Sequence, residues 1–364
     1  MHNKWSYSLV TAILICTLGL GLVNTAFAKT PVCQGNRQVV PFNGQNIPLE
    51  PSGLVYDKQH DIFIAVSDNF EVLKKSHAEN FVIFWFKDTG EDTLLAYPLL
   101  TNEQADKFNL YDLEGITVDN NQHYYAIGSL ALHPTKPSRD TWFRFQGFQF
   151  NIKKSSDGLF GATDLDWLSA NNQRDLREWF ISLVNMPWTL ENIRGRAETE
   201  DGINVEGLSV TPENNLLVGF RGPLFYNKNK KAWQSMAVEV KPPQSPNDAP
   251  EYVQSYWLAN EQGDKKTQKY GFRGLTPVPD KPWWYAVVTG PTGTDYKQFQ
   301  IMLWNAKTGE VRARQLQPEP PGKFVWEGIA IKNILREKSV SYLQVALIDD
   351  LNACFKYAKI AVKN

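Results

Sequence analysis

The sequence predicts an all-β fold, a single β-propeller of five, alternatively six, four-stranded blades. Three observations carry this expectation. A hairpin pattern recurs five times along the 364 residues. The runs in and between its copies are short and rich in Val, Ile, Tyr and Phe, as strands are. Finally, 42% hydrophobic and 13% aromatic residues supply a large packed core, while 38 Lys+Arg against 39 Asp+Glu give no basic excess for gripping nucleic acid.

Taken in order, the chain opens on Lys4, an apolar run over 9–23 and the small-residue site Ala26-Phe27-Ala28. This is the pattern of a signal peptide over 1–28, cleaved after Ala28. The alternative, an uncleaved anchor, meets a run that is short for a bilayer span. No second apolar stretch is long enough to cross, so no membrane span is expected after signal removal. A single domain over 29–364 follows, exported to the periplasm or secreted. Export places Cys33 and Cys354, near the two ends of the mature chain, where a disulfide persists. An even pair at the termini suits a ring that must be closed, and a Cys33–Cys354 bond is expected; two buried free thiols are the alternative.

The repeat reads x-Gly, a short β-branched run, a polar turn, and a second apolar run ending in a polar residue. Its copies begin at Ser52-Gly53, Glu114-Gly115, Glu206-Gly207, Arg273-Gly274 and Glu327-Gly328. Further strand-like runs lie at 81–86, 94–99, 142–150, 236–240, 252–257, 299–304 and 311–316. Two hairpins per copy make a four-stranded sheet, the unit of a propeller. The repeat glycines step by 62, 92, 67 and 54 residues. The long step holds extra material near 170–195, where Leu176, Trp179, Phe180 and Leu183 follow helical spacing and Pro187 ends the run. The alternative is a sixth blade that takes in 162–169. After the last copy only one strand's worth of chain remains, so a strand at 38–42 is expected to complete the final sheet. Trp85, Trp283 and Trp284 sit among apolar strand positions and read as core.

In a propeller, the start of each first strand and the end of each second strand share one face of the disc. The residue before each Gly then gives one ring: Ser52, Glu114, Glu206, Arg273 and Glu327. The residue three after Ala65, Ala126, Val218, Ala286 and Ala346 gives another: Asp68, Ser129, Arg221, Thr289 and Asp349. Three readings of these rings stay open. Glu114, Glu206, Glu327, Asp68 and Asp349 offer the hard oxygens that Ca²⁺ takes. Arg221 and Arg273, with Ser129, Thr289 and Ser52, offer donors to a polar or anionic ligand. Glu–Arg pairs that only satisfy strand ends are the third. Within one hairpin, antiparallel pairing makes Glu206 and Arg221 neighbours, with Arg273 beside them. His133 is a candidate base near the channel mouth or an incidental loop residue. No metal-binding H-E-x-x-H or C-x-x-C spacing, G-x-S-x-G elbow or phosphate-binding Walker loop is present.

The runs Asp112-Leu113-Glu114-Gly115-Ile116 and Asn204-Val205-Glu206-Gly207-Leu208-Ser209-Val210, with Leu217-Val218-Gly219-Phe220-Arg221-Gly222-Pro223-Leu224, are similar to a bacterial family catalogued as a domain of unknown function. The resemblance covers most of the mature chain. The wider Glu-Gly-Ile/Leu hairpin also resembles phytase-like and esterase-like propellers, and this second resemblance implies Ca²⁺ in or beside the channel. Arg273 and Ser52 stand where a symmetric metal ring would carry Glu. The expected function is binding of a polar or anionic small molecule, or a protein partner, at the channel face. The alternative is a Ca²⁺-assisted hydrolase of phosphate or carboxylic esters.

Overall fold

The computed structural model describes residues 33, 36–42, 47–108, 110, 112–132, 146–168, 176–183, 186–189, 192, 194–195, 202–243, 248, 250–260, 269–292, 299–317, 325–337 and 340–362. The expected signal peptide and His133 lie outside them. Among these residues no helix is long and apolar enough to cross a membrane.

The chain begins with β1 (Arg37–Pro41) and then lays down four-stranded units, each from the axis outward. Unit one is β2 (Pro51–Asp57), β3 (Ile62–Ser67), β4 (Ile83–Phe86) and β5 (Thr93–Pro98). Unit two is β6 (Leu113–Val118), β7 (Tyr124–Gly128), β8 (Gly147–Lys154) and β9 (Phe160–Trp167). Unit three is β10 (Asn204–Val210), β11 (Leu216–Gly222), β13 (Ala232–Lys241) and β14 (Glu251–Asn260), with the short β12 (Phe225–Asn227) paired on β13. Unit four is β15 (Tyr270–Pro277), β16 (Trp284–Pro291), β17 (Phe299–Asn305) and β18 (Val311–Gln317). The last three strands are β19 (Trp326–Glu337), β20 (Val340–Asp349) and β21 (Cys354–Val362). The protein is a β-propeller.

The final sheet takes its fourth strand, β1, from the other end of the chain. Arg37 pairs with Phe355 and Gln38 with Cys354 in antiparallel register. The Cys33–Cys354 disulfide ties this junction, with the Cα atoms 5.5 Å apart and 321 residues between them in sequence. On its other edge β1 runs parallel to β5, from Gln38 opposite Thr93 to Pro41 opposite Ala96. That pairing fuses the first and last units into one eight-stranded sheet. Aromatic packing backs the seam: Phe63, Phe86 and Phe355 are fully buried, with Phe355 5.1 Å from Phe63 and 5.4 Å from Phe86, edge to face.

The chain between units two and three holds a helix (Leu176–Ser182), which packs Leu176 and Phe180 against β10 and β11 side chains including Phe220. Residues 162–167, the alternative extra strand, belong to β9 and pair with β8 as the outer edge of unit two. Two further short helices lie over 70–75 and 102–108. Trp85 and Trp283 are buried, and Trp284 is partly buried against a core cluster.

Each inner strand packs on the next at its repeat glycine. A Cβ on Gly53 would lie 3.0 Å from Glu114 O, one on Gly115 2.7 Å from Leu208 Cβ, and one on Gly328 2.7 Å from Leu54 Cβ. Gly207 abuts Leu275 and Gly274 abuts the Glu327 carbonyl still more closely. The five glycines therefore close a cycle, each against the following copy. The consequence is testable at one position. Gly274→Ala has a backbone oxygen in its way and should lose at least about 2 kcal/mol of stability. Gly161→Ala, on an outer strand where an added Cβ would come no closer than 3.9 Å, to Leu99 O, should stay within about 0.5 kcal/mol; urea titration of the two variants side by side reads the difference.

Candidate functional site at the channel mouth

In all five inner hairpins the ladder slips at the residue before the repeat glycine. The shifts fall between Pro51 and Gly53, Leu113 and Gly115, Val205 and Gly207, Phe272 and Gly274, and Trp326 and Gly328. Ser52, Glu114, Glu206, Arg273 and Glu327 are thus each the extra residue of a β-bulge. A bulge breaks the strict in-out alternation and re-aims a side chain. All five are buried.

The register also corrects the second ring. The glycines pair with Val66, Ile127, Gly219, Val288 and Ile348. Two residues on from these stand Asp68, Ser129, Arg221, Gly290 and Asp350. Thr289 and Asp349 are one residue short of the ring position. Ala286 and Ala346 are offset by one from the true ladder position, where Val287 and Leu347 pair with Leu275 and Ile329. Asp349 instead accepts hydrogen bonds from the backbone N–H groups of Val325, at 2.5 Å, and Asn352, at 2.9 Å, and so fastens a turn. Thr289 is fully buried between Phe272 and Gln300 on the ladder.

The residues divide into two halves. One half is a chain of alternating charge from units three, four and the last sheet. Arg221 Nη1 donates to Glu206 Oε1 at 2.6 Å, and Arg273 Nη1 lies 3.0 Å from Glu206 Oε2. The same Arg273 nitrogen donates to Glu327, and its Nη2 donates to the Pro291 carbonyl at 2.9 Å. Asn204 Nδ2 adds a donor to Glu206 at 2.9 Å. The pairing of Glu206 with Arg221 follows from the antiparallel register of β10 and β11, and Arg273 reaches Glu206 from β15 of the next unit.

The other half is acidic, from units one and two and the last sheet. Carboxylate oxygens of Asp68, Asp112 and Glu114 lie within 4.8 Å of one another, and so do those of Glu50, Asp68 and Asp350. Asp68 is common to both groups. Glu50 and Asp112 were not among the residues expected from sequence. Each stands two residues before its bulged residue, with φ of 39° and 55°. The left-handed backbone is uncommon for a non-glycine residue, and Asp adopts it more readily than most. The spacing Glu50-Pro51-Ser52-Gly53 and Asp112-Leu113-Glu114-Gly115 is the signal that marks them. At the matching position of unit four Gly271 lies against the backbone of Arg221, with no room for a side chain. Ser129 Oγ donates to Asp112 and accepts from the Ala131 N–H at 3.1 Å, which fixes the Asp112 carboxylate.

Burial dominates the electrostatics. The Glu114 carboxyl is pushed well above its usual range by burial, then by Asp112, Glu206, Glu327 and Asp68. Asp350 is raised in the same way by burial, then by Asp68, Glu327 and Glu50. Burial and Glu206 push Glu327 up to about 7, against the pull of Arg273 and Arg221. Glu114 is 7% exposed, and its Oε2 has no hydrogen-bond partner among the described residues. Asp350 Oδ1 is likewise shielded from solvent without a partner. An unpaired buried carboxylate is stabilised by a proton or a cation. The hard oxygens of Asp68, Asp112 and Glu114 fit a divalent ion of the Ca²⁺ type.

No protein-family model and no curated protein matches the chain. Among solved structures it is similar to Kuenenia stuttgartiensis hydrazine synthase, at 9% identity and a TM-score of 0.36, over 85% of this chain and 74% of that one. It is similar to the Dos1 propeller at 8% identity and a TM-score of 0.32, over 86% and 72%. Citrobacter koseri AztD follows at 9% identity and 0.30, over 86% and 87%. These scores are too low to carry an argument about the site, and the strand topology alone carries the fold.

The charged half of the site makes a stability prediction. Arg221→Ala leaves Glu206 without one of its buried cations and should cost about 3–5 kcal/mol. Lys359→Ala removes an exposed pair with Glu337 and should cost under about 1 kcal/mol. Chemical denaturation of the two variants side by side reads the difference.

Proposed function

We propose that this protein is an exported binding propeller whose channel mouth holds a hard divalent cation, Ca²⁺, and through it a polar or anionic ligand. The observation that carries the reading is the Glu114 carboxylate, buried with Oε2 unpartnered beside Asp68 and Asp112. The ligand set of this proposal is Asp68, Asp112 and Glu114, with Glu50 and Asp350 as a second group sharing Asp68. Glu206 and Glu327 are engaged by Arg221 and Arg273, and Asp349 by its turn, which removes them from the first set of ligands. The two arginines flank the acidic half and give an anion held on the cation a second, positively charged wall. The resemblance of the hairpins to Ca²⁺-associated propellers supports the same reading.

Calorimetric titration of the mature, chelator-treated protein tests it. Saturable binding of about one Ca²⁺ that is lost in Asp68→Asn supports the site, and no heat above dilution excludes it. The same protein, run against phosphate, lactone and carboxylic esters with Ca²⁺ or chelator, separates binding from catalysis. Cation-dependent turnover would make the site that of a metal-assisted hydrolase.

A pH dependence follows from the raised carboxyl groups. Glu327 has an ordinary value of 4.5 and titrates at about 7 in the folded protein. The folded state then keeps a proton that the unfolded chain has released. Its contribution to stability is full below about pH 4.5 and is lost as the pH rises to about 7. Glu114 and Asp350 act in the same direction. In chelator the melting temperature should therefore carry a component that falls between about pH 4.5 and 7, and Ca²⁺ should restore several degrees at the upper end. Equal melting curves with and without Ca²⁺ at pH 7 would contradict the proposal.

A further inference from the structure

We propose a second ligand site on the opposite face of the disc, a cleft between units two and three that takes a polyhydroxylated ligand, a saccharide. The inner strands run from the channel mouth to this face, so the turns of β6–β7 and β10–β11 emerge here, well away from the cation site. Between them lies a cleft of about 570 Å³, within the range of small-molecule sites. Asp119, His123, Gln149, Asp164, Glu213 and Lys241 are among its lining residues.

Its walls are fixed. The Asp119 carboxylate is buried and accepts from the backbone N–H groups of Asn121 and His123, both at 2.8 Å. Its second oxygen lies 3.2 Å from His123 Nδ1. Asn120 Nδ2 donates to Asn214 Oδ1 at 2.7 Å and bridges the two units across the rim. Asn215 Nδ2 donates to Glu239 at 2.8 Å. Against this frame Asn121, Gln149 and Glu213 line the cleft, and none has a side-chain hydrogen bond to another described residue.

The chemistry of the lining selects the ligand. Amide side chains offer a donor and an acceptor together, which is what a hydroxyl also offers, and carboxylates accept from adjacent hydroxyls. Three carboxylates, Asp119, Asp164 and Glu213, share the lining with one lysine, Lys241, whose Nζ already lies 3.6 Å from Glu251. That excess repels phosphates and carboxylates. The three carboxylates do not converge as a metal-holding group among the described residues. Pro242 and Pro243 give the cleft an apolar strip that suits the C–H face of a sugar ring.

The test uses the mature, oxidised protein and saturation-transfer NMR with glucose, N-acetylglucosamine and a linear glucan oligosaccharide, with inorganic phosphate as the comparison. We expect at least one saccharide to bind. Gln149→Leu and Glu213→Ala should each weaken it about tenfold while leaving the melting temperature and Ca²⁺ binding at the other face unchanged. No saccharide binding up to about 10 mM, binding insensitive to either variant, or preferential binding of phosphate would each overturn the proposal. Because the two sites lie on opposite faces, failure of this test leaves the channel-mouth reading standing, and the reverse holds.

Discussion

The near-contact of five inner strands around one axis is the constraint on which the rest of the structure depends. A glycine is needed where each strand meets the next, because even a Cβ collides with the neighbour's backbone or side chain. The ladder is bulged at the residue just before that glycine in every copy. Packing at the axis and placement of the polar ring are thus one device. The glycine lets the strands converge, and the bulge beside it re-aims the preceding side chain. A ring of side chains, four of them ionisable, is the consequence, and its burial follows from the same convergence.

Buried charge must be compensated, and the two halves do so differently. Units three and four carry Arg221 and Arg273, which alternate with Glu206 and Glu327. Units one and two carry no arginine at the ring positions. They add carboxylates instead, through Glu50 and Asp112 in left-handed backbone. The ring itself is closed by a covalent seam. β1 completes the final sheet, pairs with β5 of the first unit, and is tied by the Cys33–Cys354 bond. Cross-linking residues so far apart in sequence constrains the unfolded chain strongly, by up to about 5 kcal/mol in the chain-entropy picture.

Much of this was legible in the sequence, because hairpin periodicity and the x-Gly motif are local signals. They mark the inner strands, the ring of residues before the glycines and the Glu206–Arg221 pair, while the bulges at that ring come only from the ladder register. What was not legible depends on register. Turn lengths differ between copies, so alanine positions are a poor ruler, and they point to Thr289 and Asp349, one residue short of Gly290 and Asp350. Glu50 and Asp112 were missed because a two-residue offset in an extended strand implies the same face but says nothing of backbone hand. The fourth strand of unit two was obscured because β9 ends in Asp166-Trp167 and runs straight toward the helical connection. The parallel β1–β5 pairing joins distant segments, and no periodicity reports it.

The central claim is that the acidic half of the ring is a cation site defined by the bulges. The most direct measurement is a crystal structure of the mature protein in Mn²⁺ at alkaline pH, with the metal located by its anomalous signal. The account predicts one peak bounded by the carboxylates of Asp68, Asp112 and Glu114. A map with no peak there, or with the metal at Asp349 or between Glu206 and Glu327, would contradict it.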